Sequence, residues 1–170
     1  MHTENNLSTI IQYFITHNIT ISSAESCSGG LISKMITDIP GCSAIYPGGV
    51  CAYSNEMKKK WLNVKSSTLE QYGAVSAETA LEMAQGIRNV TGSDYGISTT
   101  GIAGPGGGSA EKPIGLVYIA VVGPNYQRVE TLPLNPKIQL TRATIQQQAA
   151  EYALHMLYDS LKPQEMQNEV

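Results

Sequence analysis

Two hydroxyls and a carboxylate sit together in Ala24-Glu25-Ser26-Cys27-Ser28-Gly29-Gly30. The segment follows a β-like run, Ile19-Thr20-Ile21-Ser22, and precedes an apolar helical pattern that begins at Leu31. Where a strand hands over to a helix, the first backbone N–H groups have no intrahelical partner and carry the positive end of the helix dipole. A serine so placed can attack a carbonyl carbon while neighbouring amides hold the oxyanion. Gly29 and Gly30 let a ligand approach the backbone. Serine more often caps a helix start, so Ser26 and Ser28 each read as cap or nucleophile on this segment alone.

A serine nucleophile needs a base. Histidine does not offer one: His2 lies close to the start of the chain, His17 at the end of the first helical pattern and His155 in the last. No His, Asp and Glu cluster has the spacing of a metal site. Lysine remains, in Lys58-Lys59-Lys60 after Tyr53-Ser54-Asn55-Glu56-Met57. In an apolar cleft a lysine loses solvation of its charged form, and the amine becomes a usable base. Successive helical residues point about 100° apart, so at most one of the three enters a cleft. The usual fate of such a run is a solvated basic face.

A third segment, Thr99-Thr100-Gly101-Ile102-Ala103-Gly104-Pro105-Gly106-Gly107-Gly108, follows another strand-like run. It fits neither the Walker pattern nor GxGxxG. It reads as a surface turn or as an amide-lined wall for a small anionic or carbonyl group. Ligands of open α/β sheets sit beyond the carboxyl ends of strands. If the two strands are neighbours, the serine turn faces the glycine loop across one cleft.

The elements that must position these residues alternate. Leu7, Ile10, Ile11, Phe14 and Ile15 form one face of an opening helix. Leu31, Ile32, Met35 and Ile36 mark a second, which stops before Pro40-Gly41. Residues 44–53 read as extended, bent at Pro47-Gly48-Gly49. Ser67-Thr68-Leu69-Glu70 predicts a capping box for a short helix closed by Gly73. Ser76 opens a longer helix with Ala80, Leu81, Ala84 and Ile87 on one face and Gly92 past its end. Residues 95–100 predict a short strand, 114–122 a central one and 127–132 its hairpin partner. A last helix is predicted over about 138–161. Residues 1–162 therefore read as a single α/β domain in three layers with a mixed central sheet, and 163–170 as a C-terminal tail.

Composition agrees. The 170 residues, 42% hydrophobic and 15% charged, supply one full core. A net charge of −3 argues against a non-specific nucleic-acid surface. A polar opening and the lack of any apolar run near about 18 residues predict neither a secretory signal nor a membrane partner. Cys27, Cys42 and Cys51 are odd in number and lack CxxC spacing, which predicts no disulfide framework, no zinc and a reduced cytoplasmic setting.

The serine segment, Tyr53-x-Asn55-x-x-Lys58, Gly73-Ala74-Val75-Ser76, Thr100-Gly101-Ile102-Ala103-Gly104-Pro105 and Glu111-Lys112-Pro113-x-Gly115 occur in one order. Together they resemble the CinA C-terminal domain family over about residues 5–160. The resemblance implies a three-layer α/β/α sandwich. In the family's stand-alone members it also implies hydrolysis of the carboxamide of nicotinamide mononucleotide to the nicotinate nucleotide and ammonia. A Ser/Lys dyad would do this without metal or cofactor. The resemblance makes Ser26 the nucleophile and Lys58 the base, which selects one of the three lysines. It implies substrate-side roles for Glu25, Cys27, Ser28, Gly29, Tyr53, Asn55, Thr100, Gly101 and Arg142, and a protein that forms homo-oligomers.

The chain departs from the family at the start of its last helix. Where G-D-R-x-x-x-R is usual, Leu140-Thr141-Arg142-x-x-x-Gln146 stands here. Arginine forks grip phosphate bidentately. Gln146 in the second position therefore predicts a hold on a 5′-phosphate weaker by about 1.5–3 kcal/mol. The alternative is a diverged relative that binds a pyridine nucleotide or a partner without efficient hydrolysis.

Overall fold

The computed structural model describes residues 7–161. Five strands form one sheet in the order β2-β1-β3-β4-β5. They are β1 (Ile21–Glu25), β2 (Gly48–Cys51), β3 (Tyr95–Gly101), β4 (Val117–Gly123) and β5 (Tyr126–Thr131). β1 runs parallel to both β2 and β3, whereas β4 is antiparallel to β3 and β5 to β4, so the sheet is mixed.

Side chains alternate across a strand, and here the alternation feeds two cores. Val117, Ile119 and Val121 of β4 join Ile21 and Ile97 beneath α1 (Leu7–His17), α2 (Leu31–Thr37) and α6 (Arg142–Asp159). Ala120 and Val122 face the other way, onto Ala80 and Ala84 of α5 (Ala77–Thr91). Beside them α3 (Asn55–Leu62) contributes Leu62 to a cluster with Ala24, Met83 and Ile87, and α4 (Ser66–Tyr72) packs on α5. The result is helix, sheet, helix in three layers. The second helical layer is drawn in tightly. A Cβ added at Gly86 would overlap the Leu62 carbonyl of α3, and one at Gly96 would overlap the Ala84 carbonyl of α5.

The structure moves several expected boundaries. β1 starts two residues late and runs to Glu25, because β3 pairs it as far as Thr99 opposite Glu25. Ser26 is thus the first residue past the strand. In the stretch read as extended, residues 42–44 form a 3-10 turn and only Gly48–Cys51 is strand. α4 is not opened by Ser67. Its N-cap is Lys65 without a side-chain cap, and Glu82 of α5 accepts from the Lys65 amide and the Thr68 hydroxyl instead. Ser76 does cap α5, accepting from the Thr79 amide. β4 begins at Val117 rather than 114, after Gly115 at φ 91°, and the middle strand of the sheet is β3. α6 begins at Arg142, after a reciprocal cap between Thr141 and Thr144. The expected tail, 163–170, and His2 lie outside the described residues.

Candidate active site

Three parallel strands end along one edge, and the chemistry-bearing segments leave from there. Ser26 follows β1, and its amide donates to the Thr99 carbonyl of β3 at 3.0 Å. Lys58 comes from the segment after β2. Ser54 caps α3 by accepting from the Met57 amide at 3.2 Å, which places Lys58 one turn into the helix and pointing inward. Only 1% of Lys58 is exposed, whereas Lys59 and Lys60 face solvent. Its Nζ lies 3.0 Å from Ser26 Oγ, 3.0 Å from the Ala52 carbonyl and 3.2 Å from the Tyr53 carbonyl.

No carboxylate pairs with Lys58 among the described residues. Burial pulls its pKa below the ordinary lysine value. A neutral amine has two N–H groups and one lone pair. Here the two N–H groups suit the two carbonyls, and the lone pair is left for the Ser26 hydroxyl proton. Burial pushes the Cys27 thiol up to about 12, so it stays protonated and offers no competing thiolate.

Glu25 lies beneath this pair, fully buried. Its Oε2 accepts from the Ser28 hydroxyl at 2.7 Å and from the amides of Gly30 at 2.9 Å and Ile32 at 3.1 Å. Its Oε1 accepts from the Ser33 amide at 2.9 Å and hydroxyl at 2.7 Å. A carboxylate therefore caps the positive end of α2. This corrects two expectations. Neither Ser26 nor Ser28 caps α2, whose N-cap is Gly30 at φ 101° with no side-chain cap. The first amides of α2 are also occupied by Glu25, so they do not wait for an oxyanion. Among the described residues the Cys27 amide has no backbone carbonyl as partner, and Cys27 borders the cleft.

The cleft above the pair has a volume of about 270 Å³. Tyr53, Asn55 and Lys58 form one side, and Thr100, Gly101 and the glycine loop through Gly107 form the other. Ala74 and Val75 close the back, a wall to which the sequence assigned no role. The Thr100 hydroxyl is committed to the Ala74 carbonyl at 2.6 Å. Lys112, also unassigned, fastens the glycine loop by donating to the Tyr72 carbonyl at 2.9 Å and the Val75 carbonyl at 2.8 Å. It stands in one of the motifs quoted above, but no local signal shows its role, because its partners lie about 40 residues away. Arg142 spans the mouth, donating to the Gly104 carbonyl and the Tyr53 hydroxyl, each at 2.8 Å.

Ser26, Cys27, Tyr53, Asn55, Lys58, Thr100, Gly101 and Arg142 are thus brought to one cleft. Glu25, Ser28 and Gly29 do not line it. Ser28 Oγ instead bridges Glu25 and Thr99 Oγ1 under the turn. Gln146 does not line it either, and donates from Nε2 to the Cys27 carbonyl at 2.8 Å. Among the described residues no His, Cys, Asp and Glu group is arranged to hold a metal ion, and no helix is long and apolar enough to cross a membrane.

Known proteins share this arrangement of elements. A family model described as the CinA C-terminal domain matches residues 4–161. A CinA-like protein of Leptospira borgpetersenii is 48% identical over 144 residues, 85% of this chain and 34% of the relative. The chain spans between a quarter and about a third of the length of such curated relatives. The crystal structure of the competence/damage inducible protein CihA from Agrobacterium tumefaciens is 40% identical, with a TM-score of 0.83 over 89% of this chain and 91% of that one. The competence damage-inducible protein A of Klebsiella pneumoniae is 29% identical, with a TM-score of 0.84 over 93% of this chain and 98% of its own.

Proposed function

The chain belongs to the CinA C-terminal domain family, and on that premise we propose that it deamidates nicotinamide mononucleotide through a Ser26–Lys58 dyad. The observation that carries the reading is the 3.0 Å approach of a buried lysine, without a carboxylate partner among the described residues, to a serine at the floor of a cleft. Lys58 takes the hydroxyl proton as Ser26 Oγ attacks the carboxamide carbon. The oxyanion of the tetrahedral intermediate receives the Cys27 N–H. Lys58 returns its proton to the leaving nitrogen, the C–N bond breaks and ammonia departs. Ser26 is left as a nicotinoyl ester. Water then gives a proton to Lys58, attacks the ester and releases the carboxylate, and the proton passes back to Ser26.

The carboxamide lies at the dyad, and the 5′-phosphate lies toward the mouth, where Arg142 supplies a cation. The pyridinium withdraws electrons from the carboxamide, so positioning and proton transfer are the main tasks left to the protein. The test is incubation with nicotinamide mononucleotide, following ammonia and the nicotinate nucleotide. The expected result is equal amounts of both products, abolished in Ser26→Ala. Tight binding of the nucleotide without release of ammonia overturns the hydrolase reading in favour of a binding protein.

A further inference from the structure

We propose that Gln146 is a positioning residue that locks the serine-bearing turn, and that it is not the remnant of a phosphate contact. The inference rests on the dyad reading for Ser26. Arg142 and Gln146 are four residues apart on α6, one helical turn, so they share a face. They nevertheless serve different places. Arg142 reaches the mouth, whereas Gln146 reaches under the cleft to the Cys27 carbonyl at 2.8 Å.

The turn needs that contact. Its own hydrogen bonds are long, with the Gly29 amide 3.2 Å from the Ser26 carbonyl and the Leu31 amide 3.3 Å from the Ser28 carbonyl. The Ser26 amide is anchored to Thr99, and the Ser28 hydroxyl to Glu25. Between those two anchors the Cys27 carbonyl has no other donor among the described residues. Without Gln146 the Cys27 carbonyl loses its hydrogen bond, and the turn that carries Ser26 and the Cys27 N–H loses a restraint at its middle.

The surroundings are built around the contact. Ile145 and Ala149, on either side of Gln146 along α6, are buried in the same apolar cluster as Cys27, so the amide is delivered from a fixed base. Gly29, at φ 65°, adopts a left-handed conformation that suits glycine, and the Gln146 amide packs beside it at ordinary contact distance. A neutral donor also steadies the turn without adding a second cation beside a lysine that must lose its proton.

Gln146→Glu keeps the length and loses the donor, and Gln146→Met loses all polarity. Both are compared with the parent in three measurements. These are the rate at which diisopropyl fluorophosphate labels Ser26, kcat and KM for nicotinamide mononucleotide and for its riboside without phosphate, and Tm. The expected result is labelling and kcat reduced about 10²-fold together, with KM within about twofold for both substrates and Tm within a few degrees. Labelling at the parent rate overturns the proposal. So does a raised KM confined to the phosphorylated substrate with kcat unchanged, which is the signature of a phosphate contact. If the parent labels at Ser26 but releases no ammonia, the amidase reading fails while the labelling rates still decide the role of Gln146. A parent that does not label at Ser26 overturns both.

Discussion

Lys58 can satisfy its hydrogen bonds in either protonation state. As an ammonium it donates to Ser26 Oγ and to the Ala52 and Tyr53 carbonyls, and as an amine it keeps the carbonyls and accepts from the serine. What separates the two states is desolvation, which favours the neutral form. The direction of the shift sets a sign for stability. An unfolded lysine titrates near about 10.4 and the folded one below it, so between the two values the unfolded chain holds more protons and stability rises with pH. Urea unfolding between pH 7 and 10 should therefore show the parent gaining on Lys58→Met as pH climbs. Parallel curves would remove the buried, depressed lysine from the account. Kinetically, the acid limb of kcat/KM for deamidation should fall below the ordinary lysine value. Ser26→Ala and Lys58→Ala should each lower ammonia release at least about 10³-fold, with far-UV circular dichroism unchanged.

Among the elements, α2 depends on a single side chain. Glu25 gathers five donors from the turn before that helix and from its first turn, so Glu25→Gln turns one acceptor oxygen into an NH2 group facing N–H and O–H donors. The expected cost is about 3 kcal/mol in urea unfolding, together with lost turnover because Ser26 is the next residue. α3 and α5 depend on a missing side chain. Gly86→Ala should cost about 1–3 kcal/mol and lower kcat, since the Leu62 end of α3 must move away and α3 carries Lys58. How legible each element was follows from where its partners lie. The faces of α1, α2 and α5 repeat with helical spacing, and Ser76 bonds a residue three ahead, so local sequence sufficed. The start of α4 is decided by Glu82, more than a dozen residues downstream, and no local pattern shows it. At the site, residue type drew attention to Ser26 and to the run Lys58-Lys59-Lys60, and only the family resemblance chose Lys58 among the three. The capping role of Glu25 and the reach of Gln146 exist only once α2 and α6 are packed.

For the molecule as a whole, the cleft is assembled from segments around residues 26, 58, 75, 101 and 142, held by strands that pair across the sheet. No one segment makes the site. Ser26, Cys27 and Lys58 are each at least nine-tenths buried, so the floor of the cleft is continuous with the packed interior. Loss of ammonia release and loss of far-UV signal should therefore coincide in a urea titration, and an activity midpoint well below the structural one would show a separately melting site. The close approach of α5 to α3 also bears on the protein's history. A side chain that crowds its neighbour can be relieved by trimming that neighbour, but the atom facing Gly86 is a backbone carbonyl, which no mutation can shorten. Position 86 is thereby cut off from the compensating exchanges that let cores drift, and revertants selected from an alanine there should restore glycine at that codon.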